Sequence, residues 1–279
     1  KATLTATTWE QMLALRLTPS ARSVQVSGNH IDLTPLTEVR EAENVFVYGS
    51  MDLTDLTPLA SLPRLKHLVL SRCSAVRDLT PLAGSGLDYI ALYMLDPKLS
   101  LEPLGEMTRL TGVYIAHPAL IESLAELPLG PGLTRLFLQR QIRYASLDGI
   151  ERWPLLTELM LAGQWQLREL CRMPDVLGRL SYLGLSELEA LDAGVLAGAA
   201  RLQTLTLHDC ELLGGLDALR ELPLLTGVTL SRSTATGAPL DLSPLAELPA
   251  LTVTVADNMP LTGADQIPPE RLRRTRTRP

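Results

Sequence analysis

The chain has few of the residues that usually build active sites or cross-links. Its 279 residues include three cysteines, four histidines and only three lysines. The signatures G-x-x-x-x-G-K-[ST], H-E-x-x-H, C-x-x-C and G-x-S-x-G are all missing, which excludes the commonest phosphate-binding loops, zinc proteases and serine hydrolases. We therefore expect a non-catalytic chain with no cofactor and no metal site. An enzyme whose site is scattered across several strands stays open as an alternative.

The three cysteines are Cys73, Cys171 and Cys210, too few for a disulfide framework. On the repeat spacing given below, Cys73 and Cys210 lie six strands apart, or roughly 29 Å at about 4.8 Å per strand, whereas a disulfide needs α-carbons within about 7 Å. An odd and sparse cysteine count is typical of a reducing compartment. The prediction is a cytoplasmic protein.

The chain also lacks a long apolar run and a basic body. Apolar residues make up 46% of it, yet no run approaches the roughly 18 to 20 residues that cross a bilayer, so we expect no membrane contact. The net charge is −6, but five of the 25 basic residues are arginines in the last nine positions, which leaves residues 1–269 with 20 basic and 30 acidic side chains. A body with a balance of −10 repels phosphate backbones, so we expect no nucleic-acid partner.

What the chain does have is an apolar pattern that returns about every 23 residues. Residues 56–73, LTPLASLPRLKHLVLSRC, join a Thr-Pro turn to an L-x-x-L-x-L signature. The middle apolar residue of this signature recurs at Val24, Val45, Leu68, Ile90, Val113, Leu136, Leu159, Leu183, Leu205, Val228 and Val253. Because each copy of such a repeat buries its apolar face against its neighbours, residues 21–258 are predicted to form one array of eleven repeats.

Two flanking segments fall outside this period. Residues 1–20 are predicted as an N-terminal helical cap, in which Thr8-Trp9-Glu10-Gln11 forms a capping box and Trp9, Met12, Leu13 and Leu15 face the array. Residues 259–279 contain Pro268-Pro269 and five arginines, a composition that predicts a flexible, solvated tail or a docking segment for an acidic partner.

The repeat resembles that of the leucine-rich-repeat proteins, and its LTPLxxLPxLxxLxL wording is similar to the short internalin subclass. The resemblance implies an α/β solenoid, a curved arc with a parallel sheet on its concave face and turns and short 3-10 segments on its convex face. The family prefers Asn or Cys three residues after the last signature leucine, and only Asn29, Cys73, Cys210 and Asn258 comply here.

In the turns, the hydroxyls of Thr34, Thr57, Thr80 and Ser243, each followed by proline, are predicted to cap free amides.

The side chains that the core does not use carry the functional prediction. Three positions per strand point onto the concave face, and seven of the eleven aromatic residues of the chain fall among these 33 positions, against one or two expected at random. Arg135 and Glu158 are the only charged residues among them. An exposed face rich in aromatics and poor in charge is typical of recognition surfaces. The candidate ligand-binding residues are Phe46, Tyr48, His67, Tyr89, Tyr93, Tyr114, Arg135, Phe137, Glu158, Tyr182 and His208.

Other notable side chains receive structural or minor roles. Trp165 aligns with an exposed rim position and is a secondary contact candidate, whereas Tyr144 and Trp153 align with core positions and are predicted to pack. A basic group, Arg140, Arg143 and Arg152, is predicted as a solvated edge. The sequence His208-Asp209-Cys210 is not read as a catalytic set, because adjacent strand residues point to opposite faces.

These observations predict a recognition module that binds a protein or peptide ligand on the concave sheet. The Thr-Pro-Leu-Ala and Leu-Pro wording also resembles the C-terminal sensor arrays of bacterial NACHT-type defence NTPases, which implies an intracellular, NLR-like innate-immune sensor of a foreign protein. With no leader in the sequence, the sensor is the expected reading. A secreted or surface adhesion array of the internalin kind is the alternative. Another domain of the same polypeptide is a further candidate partner for this face.

Overall fold

The structure is a computed structural model that describes residues 3–116, 122–165, 173–236, 238–257 and 259–276, without the side chains of residues 140–144 and 164. The chain divides into two compact units. The first contains the described residues of 3–116, 126–136 and 152–155, and the second those of 122–125, 137–151 and 156–276. Each unit is an alternation of short parallel strands and tight turns.

The first unit is built on six short strands in which apolar and polar residues alternate. They are β1 Leu4–Ala6, β2 Ser23–Ser27, β3 Asn44–Tyr48, β4 His67–Ser71, β5 Tyr89–Tyr93 and β6 Gly112–Ala116. Each strand pairs in parallel with the next one along the chain. The register aligns Val45 with both Val24 and Leu68, so the signature residues stack on one side of the sheet.

The second unit continues the same pattern. Strand β7 Arg135–Ala145 begins in the first unit, and β8 Glu158–Trp165, β9 Tyr182–Ser186, β11 Thr204–His208, β13 Gly227–Ser231, β16 Thr252–Ala256 and β18 Leu272–Thr275 follow. From β8 onward these strands pair in parallel in that order. All thirteen strands belong to one sheet. Two small sheets accompany it: β10 Leu191–Asp192, β12 Glu211–Leu213 and β14 Thr234–Ala235, and the pair β15 Leu240–Asp241 and β17 Leu261–Thr262.

The return path of each repeat consists of turns and very short helices, as the repeat length predicts. The α-helices are α1 Trp9–Ala14, α2 Thr57–Ala60, α3 Pro174–Leu177 and α4 Ser243–Ala246. The 3-10 segments are Leu15–Leu17, Thr34–Glu38, Thr80–Leu82, Glu102–Glu106, Leu124–Glu126, Ile150–Arg152, Ala193–Leu196, Asp217–Glu221 and Ala264–Gln266. Over the part of the chain that the structure describes, no helix has the length and apolar character to span a membrane.

The core lies between the sheet and this layer of turns. All eleven middle residues of the repeat signature are buried, and none is more than 1% exposed. The copy with the least regular sequence is also in register, because Val253 aligns with Val228 of the preceding repeat. The turns add Leu36, Leu59 and Leu245, each fully buried. The expected solenoid layering is therefore confirmed.

The turn amides are capped by a residue other than the one we expected. The prediction gave this role to the Thr or Ser before proline, but the acceptor is the side chain two positions earlier. Asp55 Oδ1 accepts from the Thr57 amide at 2.8 Å, and Asp78 makes the same bond to Thr80 at 2.7 Å. Asp32, Ser100 and Asp241 repeat this contact. The Thr itself occupies the first position of the turn, where its own amide needs the acceptor.

The N-terminal cap forms the predicted capping box but also adds a strand. Thr8 Oγ1 accepts from the Gln11 amide at 3.2 Å, and the Gln11 side chain accepts from the Thr8 amide. Met12 and Leu15 are buried as expected, whereas Trp9 is 45% exposed and Leu13 is 37% exposed. The prediction for these last two was wrong, because β1, which the period did not reveal, already extends the sheet beyond β2.

The C-terminal segment also differs from its predicted solvated tail. Residues 272–275 form β18, whose main chain pairs in parallel with β16. Arg271 anchors the start of this strand, because its guanidinium donates to the Leu248 carbonyl and, at 3.1 Å, to the Ala246 carbonyl. The basic composition predicted a solvated tail, and the side chains of Arg273 and Arg274 are indeed exposed. Their backbone nevertheless belongs to the sheet.

The position that the family fills with Asn or Cys is buried in most described repeats. Cys73 and Cys210 are both free thiols there, and Ser50 donates to the Gly28 carbonyl at 2.9 Å. Asn29 does not follow the family, because it is exposed and the buried side chain is that of His30 instead. Pro118, Cys171 and Asn258, together with the side chains of Gln141 and Gln164, lie outside the described residues.

Candidate binding surface

The side of the sheet opposite the buried leucines, here called the open face, carries all of the candidate residues in the main list. In the first unit seven of them form what we call the tyrosine patch: Phe46, Tyr48, His67, Tyr89, Tyr93, Tyr114 and Arg135. Each of these side chains is half-buried rather than fully exposed or enclosed in the core. They occupy this face because each lies one residue before or after a buried signature residue of its strand.

The side chains of the tyrosine patch contact one another in pairs. The rings of Phe46 and Tyr48 stack along β3 with centroids 6.4 Å apart. Those of Tyr93 and Tyr114 stack from neighbouring strands at 4.4 Å. His67 tilts against Tyr89 at 6.2 Å. The patch is therefore held together by ring contacts before any ligand is present.

The tyrosine hydroxyls respond to this crowding. Burial raises the pKa of Tyr93, and the nearby Tyr48 raises it further, while a hydrogen bond with Tyr114 acts in the opposite direction. Burial also raises the pKa of Tyr89, with a contribution from Tyr93, and the neighbouring Arg135 acts against the rise. These phenols are therefore neutral at physiological pH and can donate hydrogen bonds to a ligand.

Small residues form the floor beneath the rings. Ala91 is 1% exposed and Ala116 is 4% exposed, although both point to the open face. The large side chains lie over these positions instead of projecting into solvent. Rings that are already packed lose little conformational entropy when a partner binds, which favours a preorganised recognition surface.

Gly112 has a specific role that the sequence analysis missed. A β-carbon at this position would lie 2.7 Å from Cδ2 of Tyr89 and 3.4 Å from Nε of Arg135. The missing side chain lets Tyr89 and Arg135 meet across β6, where the guanidinium carbon lies 5.7 Å from the ring centroid. A glycine inside a strand is a known signal of close approach, so the sequence did contain a hint.

The His67 side chain is held from a neighbouring strand. Its Nδ1 lies 2.7 Å from the Asn44 side-chain oxygen. Since an amide oxygen only accepts, Nδ1 of His67 is the donor in this contact. Asn44 is therefore a second residue of this face whose part in the patch the sequence did not reveal.

In the second unit the open face carries the remaining candidates as separate groups. The rings of Phe137 and Tyr182 meet edge to face at 6.0 Å. Gly184 makes room beside them, because a β-carbon there would lie 3.0 Å from the Tyr182 hydroxyl. Glu158 is half-buried on β8. His208 bonds to the Ser231 hydroxyl at 2.7 Å.

The tryptophans separate into one confirmed and one corrected prediction. Trp153 is fully buried, and its Nε1 donates to the Leu129 carbonyl at 3.2 Å, so it packs as expected. Trp165 was predicted at an exposed rim but is only 4% exposed, with Nε1 donating to the Ala162 carbonyl at 3.3 Å. Strand β8 runs on to residue 165, which carries this indole into the packed layer and removes it from the contact surface.

Two further groups were singled out by sequence. The side chains of Arg140, Arg143 and Tyr144 lie outside the described residues, and Arg152 donates to the Leu127 carbonyl at 2.8 Å. After His208, Asp209 pairs with Arg232 at 3.0 Å and Cys210 is buried. Within the described ranges, no three His, Cys, Asp or Glu side chains come together in a way that could hold a metal ion.

Comparison with known proteins places the architecture. No family model matches the chain, and no curated protein matches it. Among solved structures, an internalin from Listeria monocytogenes is 22% identical with a TM-score of 0.60, over 86% of this chain and 69% of that one. At this identity the likeness concerns the fold alone.

Two structures of the Drosophila Toll–Spatzle complex are also similar. The glycosylated form is 16% identical with a TM-score of 0.56 and covers 91% of this chain. The other is 12% identical with a TM-score of 0.51 and covers 85%. This chain spans only 39% and 41% of the two matched chains. Together with the repeat geometry, these likenesses show that the chain has the leucine-rich-repeat solenoid fold.

Proposed function

We propose that the chain is a non-catalytic recognition module that binds a protein or peptide ligand on its open sheet face. The observation that carries the proposal is the tyrosine patch, in which aromatic rings packed against one another cover a sheet face that bears a single charge in the first unit. Clustered aromatic side chains with little surrounding charge dominate the energetics of protein interfaces. The Toll structures, which share the fold, were solved in complex with Spatzle.

The competing explanation is that the rings only stabilise the sheet. Aromatic residues favour strands, and cross-strand ring pairs add stability. Four features favour recognition instead. The rings are concentrated in a few neighbouring repeats, and the alternation along the strands leaves them half-exposed. The phenol hydroxyls can donate hydrogen bonds. Charged side chains lie at the edge of the sheet, where Arg22 pairs with Glu43 and Arg109 pairs with Asp88.

The experiment separates these roles by measuring binding and stability on the same variants. A random twelve-residue peptide library is selected on the full chain, and the selected peptides are measured against a Tyr89→Ala, Tyr93→Ala, Tyr114→Ala triple variant. We expect binding to be lost while the cooperative melting transition is kept, with only the small shift that follows from losing the ring contacts. Thr206→Ala with Thr229→Ala, on the open face of the second unit, is the matched control and should leave both unchanged.

Two results would contradict the proposal. Peptides that bind the triple variant as well as they bind the wild type do not use the patch. A collapsed melting transition in the triple variant would assign the tyrosines to structure, because a surface used for recognition tolerates truncation with little loss of stability.

In its finer form the proposal is a cytoplasmic, NLR-like sensor of a foreign protein, attached to a bacterial NTPase of antiphage defence. The Thr-Pro-Leu-Ala and Leu-Pro segments of the repeat support this proposal. The two described cysteines also support it, because they are buried free thiols, as is typical of a reducing compartment. A secreted or surface adhesion array is the second candidate, favoured by the likeness to the Listeria internalin. The natural gene upstream of Lys1 discriminates between them, since an NTPase domain supports the sensor and a leader peptide supports the adhesin.

A further inference from the structure

Arg135 is the one charged side chain of the tyrosine patch, and the described part of the chain gives it no carboxylate partner. Among the residues that the structure describes, no acidic oxygen lies within 4.0 Å of its side-chain nitrogens. The side chain is half-buried on β7. A partly desolvated guanidinium without a counter-charge gains more from a carboxylate than a fully hydrated one does.

The guanidinium is also held in place. It lies over the Tyr89 ring at 5.7 Å, a geometry in which the ring face attracts the cation. Gly112 permits this contact, because any β-carbon there would meet both side chains. A planar group that is held on one face by a ring still has its N–H edge available to form the bidentate bonds that arginine makes with carboxylates.

Two acidic residues of the first unit that lie near this face are already paired. Asp88, which precedes Tyr89, pairs with Arg109 at 3.4 Å, and Glu43 pairs with Arg22 at 3.6 Å. Both carboxylates belong to the strand-entry edge rather than to the open face. The patch thus combines apolar rings, neutral phenols and one oriented positive charge.

We propose that Arg135 recognises the side chain of an aspartate or glutamate in an extended, otherwise apolar segment of the protein ligand, while the tyrosine patch binds the apolar residues around it. This inference rests on the proposed function and names the chemistry of the partner. An internal acidic side chain fits better than a free C-terminus, because terminal carboxylates are captured by groups of free backbone amides. The amide of Arg135 is committed to the Thr111 carbonyl at 3.0 Å.

The test uses the full chain and the random twelve-residue peptide library. Each peptide is fused to its carrier through the peptide's C-terminus, so that no peptide has a free terminal carboxylate. We expect the selected peptides to be enriched in Asp or Glu flanked by apolar residues. Arg135→Gln should weaken the best acidic peptide by about tenfold or more, the loss typical of a hydrogen bond to a charged group. The same variant should bind the Glu→Gln analogue of that peptide as the wild type does.

Two further variants guard against indirect effects. Arg135→Glu should bind a peptide in which the acidic residue is replaced by arginine better than it binds the original peptide. Gly112→Ala keeps both partners but displaces Tyr89, so it should weaken the acidic peptide more than the neutral analogue. Circular dichroism melts of each variant establish that the fold is retained.

Each remaining outcome counts against a defined claim. Peptides that depend on Tyr93 and Tyr114 but show no acidic preference overturn the role of Arg135 and leave the proposed function standing. Peptides that ignore the tyrosines overturn the proposed function itself. An acidic preference found only with free C-termini, in a library displayed the other way round, overturns the side-chain assignment. A library that yields no patch-dependent peptide counts against both claims.

Discussion

The ring of Tyr93 stacks on that of Tyr114 across two adjacent strands, with the centroids 4.4 Å apart and the planes inclined by 28°. The repeat explains how two residues 21 positions apart come together. Each follows a buried signature residue of its own strand, and the parallel pairing of β5 with β6 brings the two strands into register. The contact is a product of the solenoid rather than of local sequence, and it fixes the centre of the tyrosine patch.

This stacking predicts an energetic coupling between the two tyrosines. Tyr93→Ala, Tyr114→Ala and the double variant, compared by urea unfolding, should show a coupling of about 0.5 to 1.5 kcal/mol, the usual value for aromatic pairs. Tyr93 and Gln25 serve as the control pair, because they lie three strands apart in the first unit, roughly 14 Å at the usual strand spacing. The losses of unfolding free energy caused by Tyr93→Ala and Gln25→Ala should therefore be additive. A coupling no larger than that of the control pair would contradict the stacked geometry.

A second prediction concerns the buried leucine stack. Leu205 is fully buried on β11, so Leu205→Ala leaves a cavity between the sheet and the turns and should lower the free energy of unfolding by about 2 to 5 kcal/mol. Thr206→Ala, the next residue on the same strand, faces the open side and should cost about 0.5 kcal/mol or less. Denaturant titration measures both, and a Leu205→Ala loss under half a kilocalorie would show that this side chain is not core.

The turn caps predict a dependence of stability on pH. Hydrogen bonds from the Thr57 hydroxyl and amide lower the pKa of Asp55 from its ordinary value, and the corresponding bonds from Thr80 lower that of Asp78. A carboxylate with a lowered folded-state pKa contributes stability above its unfolded pKa and loses it as the pH falls through the folded value. The contribution should therefore be complete at pH 7 and decline below about pH 4.

The measurement compares urea midpoints at pH 7 and pH 3. The Asp55→Ala, Asp78→Ala double variant should be less stable than the wild type at pH 7, and the gap should narrow at pH 3. Asp55→Ser with Asp78→Ser is the matched control, because the chain itself caps one turn with Ser100 and a hydroxyl does not titrate. An equal gap between wild type and the alanine variant at both pH values would show that the ionisation of Asp55 and Asp78 does not contribute to the stability of these turns.

A fourth prediction tests the C-terminal strand. Deleting residues 258–279 removes β18 and leaves the main chain of β16 as an open edge, so the melting temperature should fall and light scattering should rise on heating. Arg273→Ala with Arg274→Ala alters only exposed side chains and should retain the melting temperature, since the pairing with β16 uses the backbone. A deletion variant that melts like the wild type would return this segment to the solvated tail that its composition suggests.

The interior of the array could be predicted from sequence residue by residue. Val45, Leu68 and Leu205 were assigned to the core and Phe46, Tyr89 and Tyr114 to the open face, and the structure places each one there. The reason is that the alternation of apolar and polar residues along a strand is a local property of the sequence, and it recurs in every copy of the repeat. Whether the open face binds a ligand remains a prediction.

The ends and the irregular repeats could not be predicted in the same way. Strands β1 and β18 lack the leucine signature, so only their pairing with β2 and β16 reveals them. Trp165 was misplaced because β8 runs longer than the five-residue strand typical of the array. Asp55 was not predicted as a cap, because the prediction assigned the capping role only to the hydroxyl residue next to the proline.

The amino-acid sequence by itself determined the period, the strand register and therefore which side chains leave the core, because these depend on spacing along one chain. Only the tertiary structure decided which of those side chains meet. The contact of Arg135 with Tyr89 requires the empty position of Gly112 on the strand between them. Such a contact joins residues from three different repeats, and no single repeat contains the information that specifies it.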